Sequence, residues 1–418
     1  MAKTRDWALS AAWGMAVLIF MGGLAAALSL ATPALMFLLT VAGVAFAGLR
    51  LRSFRMEWAA AGVLASALIF WYAPAVACTQ FEPYDDYLAY FPFVRRLFET
   101  GTLIEPFSLR RLAAYGGQSW LHAVVTLFGS EKNMNLLDRG IAPVLFGALV
   151  YQLARERTGA RWSAALALTA MTVPIARQNT MSQATGLMLW LALFRSSATR
   201  SPVAVGLVAA ALCALRSSYI PAAVLALLLL PLANRTRWRE CMAACGVALV
   251  GVAPWALLLW RSSGTFVYPL FAGNQRPGFS YSAGADLHFH MAALVDCLLN
   301  PAVLFLFVPV VAALVYASYR SKRLDPCSTR DLNSAHGAFL ASAIVSSALL
   351  AWSLPLPDGN SSVFRYLQPF ALGSSVIAWH YLAVAPRLRA GLALALTPLL
   401  AMSAFIGIRE RAAWPSAP

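Results

Sequence analysis

Charged residues are scarce in this chain of 418 residues and make up only 12% of it. Hydrophobic residues make up 60%, and the mean hydropathy is +0.67. A soluble chain of this length would form two or three domains with charged surfaces, and this composition excludes that arrangement. Apolar runs recur instead from Trp7 to Ile408, and short charged connections separate them. Most of the chain is therefore expected to lie inside a bilayer.

Alternating strand patterns, internal repeats and low-complexity tracts are absent from the sequence as well. In lipid, every backbone polar group must be satisfied within its own segment, so long apolar runs are helices. We therefore predict an all-α fold, a polytopic transmembrane helix bundle of about 11–13 spans. The whole chain, residues 1–418, is expected to be a single transmembrane domain.

Most common catalytic motifs are missing too. The chain has no Walker loop, no nucleotide-binding glycine fingerprint, no GxSxG and no HExxH, so chemistry on soluble nucleotides has no support. Its six cysteines form no CxxC pair. His288 and His290 lie near Asp286 in a loosely metal-like pattern, but no third ligand is evident. The sequence therefore indicates no cofactor and no metal-ligand set, and leaves a divalent cation open without support for one.

The net charge of +15 comes from basic residues at the junctions between apolar runs. That distribution is typical of topology signals, so we expect no nucleic acid partner. With the N-terminus inside, most basic residues fall on the inner side and most acidic ones on the outer side. The outer face then receives a first long loop, residues 77–119, a second, residues 261–290, and the short segments 177–183 and 357–362. Arginine greatly outnumbers lysine, which favours a GC-rich bacterial genome and a multi-pass protein of a bacterial inner membrane.

The first outer loop contains two adjacent acidic residues, Asp85 and Asp86. An amphipathic stretch with Leu88 on its apolar side follows as far as Glu99, and Gly101 is a helix stop. We expect this stretch to form a helix lying in the membrane interface. One interpretation of the acidic pair is helix capping, because Asp is a preferred N-cap. The other is catalytic, because two like charges this close make one carboxylate a better proton acceptor near neutral pH.

Four arginines fall at or just inside the predicted outer ends of apolar runs: Arg177, Arg216, Arg261 and Arg365. An ionisable residue at membrane depth is costly unless it is paired, so each arginine is a candidate site residue. Snorkelling to the lipid headgroups is the alternative role for any one of them. Together, four guanidinium groups on one face predict an anion pocket, because guanidinium binds phosphate bidentately.

Three stretches on the predicted outer face occur in a suggestive order. They are Tyr84 to Tyr87 (Tyr-Asp-Asp-Tyr), Gly264 to Leu270 (Gly-Thr-Phe-Val-Tyr-Pro-Leu) and Phe364 to Pro369 (Phe-Arg-Tyr-Leu-Gln-Pro). In this order and layout the chain resembles the GT-C class of glycosyltransferases, polytopic enzymes that take sugars from polyprenyl-phosphate carriers. The resemblance covers most of the chain in layout but is specific over only about a dozen residues.

The resemblance implies that Asp85 or Asp86 is the catalytic carboxylate, with Asp85 slightly preferred. It implies that Arg365 lies near the carrier phosphate, and that Tyr366 and Tyr268, which belong to the matching stretches, contribute to substrate binding. One departure concerns the segment 177–183, which lacks the acidic residue that many members have there. That departure puts a metal-dependent mechanism in doubt.

The sequence thus favours an enzyme, a membrane glycosyltransferase that moves a sugar from a polyprenyl-phosphate carrier to a lipid or glycan acceptor at the extracytoplasmic face. Its expected partners are the carrier, the acceptor and the membrane. Three alternatives stay open: a polysaccharide polymerase or ligase, a lipid transporter or flippase, and a non-catalytic membrane scaffold. The sequence has no inverted repeats and no charged residues near the centres of its spans, which argues against the transporter. A shared fold alone does not exclude an inactive scaffold.

Overall fold

The structure is a computed structural model, and the part of the chain that it describes comprises residues 6–51, 57–78, 81, 85–104, 109–173, 180–233, 237–268, 271, 273, 287–299, 307–316, 330–353 and 361–383. These residues form helices joined by turns, and no β-strand occurs among them. The prediction of an all-α fold is therefore confirmed.

The helices are named here in chain order. They are α1 (Trp7–Ala27), α2 (Pro33–Leu51), α3 (Trp58–Ala77), α4 (Phe91–Thr100), α5 (Leu109–Ala113), α6 (Gly117–Thr126), α7 (Glu131–Arg155), α8 (Ala160–Thr172), α9 (Gln183–Ser197), α10 (Pro202–Leu215), α11 (Ile220–Ala233), α12 (Trp238–Ser263), α13 (Leu287–Leu299), α14 (Phe307–Tyr316), α15 (Arg330–Ser353) and α16 (Ser361–Leu382).

Five helices of the described part are long and apolar enough to cross a membrane: α1, α3, α7, α12 and, in α15, residues Ala335–Trp352. Four shorter apolar helices accompany them, at Pro33–Gly48, Pro202–Leu215, Ser217–Leu232 and Phe307–Tyr316. The apolar run Ile141–Ala154, which is short for a span, is the last part of α7, and α7 runs for 25 residues. The last apolar run of the sequence, Gly391–Ile408, lies outside the described residues, so the total of 11–13 spans stays a prediction.

Small residues let α1 pack closely against its neighbours. The indole of Trp255, on α12, is fully buried, and its Nε1 donates a hydrogen bond to the carbonyl oxygen of Ile19 at 3.1 Å. A Cβ atom at Gly23 would lie 2.7 Å from the same Nε1, and one at Gly22 would overlap the indole of Trp120 on α6. Glycine is required at both positions because only a helix without side chains there accommodates two tryptophans.

The first outer loop is largely helical. A π-helical turn, Asp86–Tyr90, leads into α4, which ends at Gly101. Gly101 has a φ of 70° and donates its N–H to the carbonyl oxygen of Leu97, so the predicted helix stop is confirmed. Leu97 is buried against the bundle, and Leu88 is 59% exposed. An apolar side chain that faces outward suits a helix lying against lipid, and the interfacial position of this stretch stays a prediction.

Contacts at the helix ends divide the bundle into two ends. At one end, the first long loop contacts Thr180, the hydroxyl of Tyr115 donates to the carbonyl oxygen of Phe266, and Arg216 donates to the hydroxyl of Tyr366. We call this the site end. At the other, Asp6, Glu156, Arg195 and His380 form an ion-pair network, and we call it the ion-pair end. The segments predicted to share the outer face therefore meet at one end, and the assignment of that end to the outer face stays a prediction.

Replacing Gly23 with alanine is expected to destabilise the protein, because the new methyl group overpacks against the Trp255 indole. Overpacking of this kind costs about 1–3 kcal/mol. The measurement is the thermal unfolding temperature of the purified protein in detergent, compared with wild type. Gly14→Ala is the matched control on the same helix, since a Cβ there meets nothing within 4 Å. An unfolding temperature for Gly23→Ala at or above that of Gly14→Ala would contradict the packing described.

Candidate functional site

Asp86 is the most deeply buried carboxylate of the first loop, with 0% of its surface exposed. Its Oδ1 accepts two hydrogen bonds from Thr180, one from the backbone N–H at 2.8 Å and one from the hydroxyl at 2.7 Å. Asp85, at the N-cap of the π turn Asp86–Tyr90, makes no side-chain capping bond to that turn. Asp86 contacts a residue 94 positions further along the chain.

A second buried carboxylate, Asp138, holds the beginning of α9. Its Oδ2 accepts hydrogen bonds from the backbone N–H groups of Gln183 and Ala184, and its Oδ1 accepts from the N–H and hydroxyl of Thr185. The first N–H groups of a helix have no partner within the helix and carry partial positive charge, which suits a carboxylate. The sequence analysis does not identify Asp138. Its position beside the apolar run of α7 is nevertheless a signal, because an ionisable residue next to a membrane span marks a candidate site.

Asp86 and Asp138 lie on irregular turns. Asp86 begins the π turn Asp86–Tyr90, and Asp138 lies on a second π turn, Leu137–Ile141. A π turn inside a helix is unusual and is frequently found at functional sites, although this chain has another at Leu68–Tyr72. Both carboxylates accept hydrogen bonds from the same segment, residues 180–185.

Arg216 is the predicted site arginine whose surroundings the described residues show in most detail. Arg216 directly follows α10 and has an extended backbone conformation. Its Nη2 donates a hydrogen bond to the hydroxyl of Tyr366 at 3.0 Å. Its guanidinium carbon also lies 4.7 Å from the centroid of that ring, and its Nη1 is 3.7 Å from the sulfur of Met181. Asp85 lies close enough to favour the guanidinium charge electrostatically. Among the described residues, no carboxylate comes within ion-pair distance of Arg216.

A neutral polar group completes the interior of the site. The amide nitrogen of Gln118 lies 3.1 Å from Nε2 of His122 and 3.5 Å from the carbonyl oxygen of Thr180. Burial lowers the pKa of His122 to about 3, so its imidazole is neutral at physiological pH. The ring of Tyr90 meets His122 edge-on at 6.1 Å, and burial raises the pKa of Tyr90 to about 12. The cluster therefore supplies hydrogen-bonding groups without adding charge.

The structure brings together some of the predicted site residues. Asp86, Arg216 and Tyr366 meet at the site end, joined through Thr180 and Met181. Half-buried Asp85 lies beside them and acts electrostatically on both Tyr90 and Arg216.

The remaining predicted residues lie elsewhere or outside the description. Arg261 is exposed on the last turn of α12, and no described contact joins it to Arg216. Tyr268 is half-buried in the turn that follows α12. Arg177 lies outside the described residues. Arg365 precedes Tyr366 on α16, but its side chain is outside the described part.

The loosely metal-like histidines make a different contact. His288 is exposed on the first turn of α13. His290 stacks on the indole of Trp352 at 5.2 Å, and its Nδ1 lies 2.7 Å from the Trp352 carbonyl oxygen. Within the described ranges, no group of three or more His, Cys, Asp or Glu residues could hold a metal ion.

Comparison of the chain with protein-family models, with curated proteins and with solved structures gives no match. The chemistry of the site end is therefore the basis for a functional assignment.

Replacing Thr180 with valine is expected to lower the unfolding temperature, because the change removes one of the two hydrogen bonds to the buried carboxylate of Asp86 while it preserves shape. A hydrogen bond to a charged group contributes about 1.5–3 kcal/mol. The measurement is thermal unfolding of the purified protein in detergent.

Thr169→Val is the control for this change, since the hydroxyl of Thr169 donates only to the Ala165 carbonyl within α8. It should unfold close to the wild-type temperature. Equal unfolding temperatures for the two valine variants would show that the Asp86–Thr180 contact does not stabilise the site.

Proposed function

We propose that this chain is a multi-pass glycosyltransferase of the GT-C type in a bacterial inner membrane. It would move a sugar from a polyprenyl-phosphate carrier to a lipid or glycan acceptor at the extracytoplasmic face. The apolar helices support a membrane location. The observation that carries the proposal is the position of Arg216, a guanidinium that bonds to Tyr366, has no carboxylate within ion-pair distance among the described residues and is influenced by the charge of Asp85.

An anionic ligand is what Arg216 favours. A charge removed from water is costly unless an opposite charge or a set of hydrogen bonds balances it. Only the phenol oxygen of Tyr366 and the sulfur of Met181 accept from this guanidinium in the described structure. A phosphate group matches this guanidinium, since guanidinium binds phosphate with paired hydrogen bonds.

The two acidic residues have different surroundings, and this supports different roles. The Oδ1 of Asp86 already accepts two hydrogen bonds from Thr180, and the side chain is fully buried. Asp85 is only half-buried and lies near the guanidinium that would hold the phosphate. We therefore assign the catalytic base to Asp85 and a positioning role to Asp86.

The proposed reaction is an inverting displacement. The Asp85 carboxylate accepts the proton of the acceptor hydroxyl, and the hydroxyl oxygen forms a bond to the anomeric carbon of the sugar. The bond from that carbon to the carrier phosphate oxygen breaks, and its electron pair leaves with the polyprenyl phosphate. Arg216 and Tyr366 stabilise the charge that develops on the departing phosphate. The phosphate leaves as a stable anion, so the step needs a base but little acid assistance.

Replacing Asp85 with asparagine is expected to abolish most transfer while the fold survives, because asparagine keeps the shape of the side chain but accepts no proton. Loss of a general base slows turnover by about 100- to 10,000-fold. The measurement is transfer of labelled sugar from a panel of polyprenyl-phosphate hexoses and pentoses by the full chain in proteoliposomes. Thermal unfolding of the same samples reports on the fold.

Two further variants make this test specific. Glu99→Gln neutralises an exposed carboxylate on α4 and should leave both transfer and stability unchanged. Asp86→Asn should lower the unfolding temperature, because its hydrogen bonds to Thr180 weaken when the charge is lost. Near wild-type transfer by Asp85→Asn would refute the assigned base. Wild-type protein that transfers no sugar of the panel would refute the proposed activity and favour a transporter or a scaffold.

A further inference from the structure

Two buried histidines face each other at the ion-pair end, far from the proposed site. His336 lies on α15 and His380 on the last turn of α16, and each has only 2% of its surface exposed. Nε2 of His336 is 3.0 Å from Nδ1 of His380, and the rings stack with centroids 5.2 Å apart at 11°. One of these two nitrogens must therefore donate a hydrogen and the other must accept it.

The histidine pair continues into a network of charges. Nε2 of His380 lies 3.5 Å from a carboxylate oxygen of Glu156, which follows α7. The other oxygen of Glu156 pairs with Arg195 of α9 at 2.5 Å, and Arg195 also pairs with Asp6 at 2.5 Å. Asp6 caps the first turn of α1. The network thus ties together the ends of α1, α7, α9, α15 and α16.

Further charged and aromatic groups act on the pair. Arg157 adds a positive charge that acts on His380, and Tyr381 places a neutral ring 5.2 Å from His336. Although burial raises the pKa of Glu156, the hydrogen bond to His380 and the charge of Arg195 outweigh it and lower that pKa to about 2. Glu156 is therefore ionised at every physiological pH. Burial lowers the pKa of the His380 imidazole, so protonation of this ring is disfavoured while the pair is closed.

The spacing of the two imidazoles limits how many protons the closed pair can hold. With no added proton, His336 and His380 share one hydrogen bond, and Nε2 of His380 lies 3.5 Å from a carboxylate oxygen of Glu156. One added proton leaves a charged imidazole bonded to a neutral one, with Glu156 beside it. A second added proton would place two N–H groups against each other across 3.0 Å, and this arrangement is repulsive. Once separated, each imidazole takes up its own proton.

We propose that the His336–His380 pair is an acid-opened latch that holds α16 against α7, α9 and α15 at the ion-pair end. Mild acid favours the open form, because the open form binds at least one more proton than the closed form. Helix α16 also carries Tyr366, the partner of Arg216, about 20 Å away along its axis. Opening the latch frees one end of the helix whose other end contributes to the site.

Hydrogen exchange of the full chain in detergent tests this latch and requires no enzymatic activity. Protection of the last turn of α16 is measured at about pH 7.5 and about pH 5.5, with correction for the intrinsic exchange rate. We expect protection to fall about tenfold per pH unit below the pKa of a free imidazole, about 6.5, for each extra proton bound on opening. Peptides from α4 at the site end are the internal reference and should not follow this dependence.

His336→Asn should remove the pH dependence, because an asparagine amide can still bond to His380 but does not titrate. His288→Asn, at an exposed histidine outside the network, should keep the wild-type dependence. Equal protection at both pH values in the wild type would overturn the latch without reference to any variant. An unchanged pH dependence in a folded His336→Asn protein would overturn it equally.

Discussion

Two buried carboxylates at the beginning of α9 constrain the rest of the site. A carboxylate removed from water is strongly unfavourable unless hydrogen bonds satisfy its oxygens. Asp86 meets this requirement at Thr180, and Asp138 meets it at the first N–H groups of α9. These bonds attach the first loop and α7 to one short segment, residues 180–185. The position of that segment then determines where Met181 meets Arg216.

The same segment is supported from other directions. The hydroxyl of Tyr219 donates to the carbonyl oxygen of Ser182 at 2.6 Å, and the Gln118 amide lies beside the carbonyl of Thr180. Groups from four separate parts of the chain therefore fix a stretch of six residues. Such a rigid segment suits a site that must hold an acid–base group and an anion-binding group at a fixed distance and orientation. Catalysis depends on groups that are oriented before the substrate reacts.

Local sequence patterns predicted those features that depend on neighbouring residues. The apolar runs predicted helices, Gly101 predicted the end of α4, and the distribution of basic residues assigned to one face the polar segments whose described parts meet at one end. Contacts between distant residues were not predictable in this way. Nothing near Asp86 indicates Thr180, and nothing near His336 indicates His380, 44 residues later.

Binding of the carrier phosphate by Arg216 is the central claim, and ligand-induced stabilisation tests it most directly. The thermal unfolding temperature is measured with a short-chain polyprenyl phosphate and with the matching neutral polyprenol, for wild type, Arg216→Gln and the exposed control Arg261→Gln. A ligand that binds only the folded state raises this temperature. We predict stabilisation by the phosphate alone, lost in Arg216→Gln and retained in Arg261→Gln. Equal stabilisation by the phosphate and the polyprenol, or an undiminished effect of the phosphate on Arg216→Gln, would contradict the account.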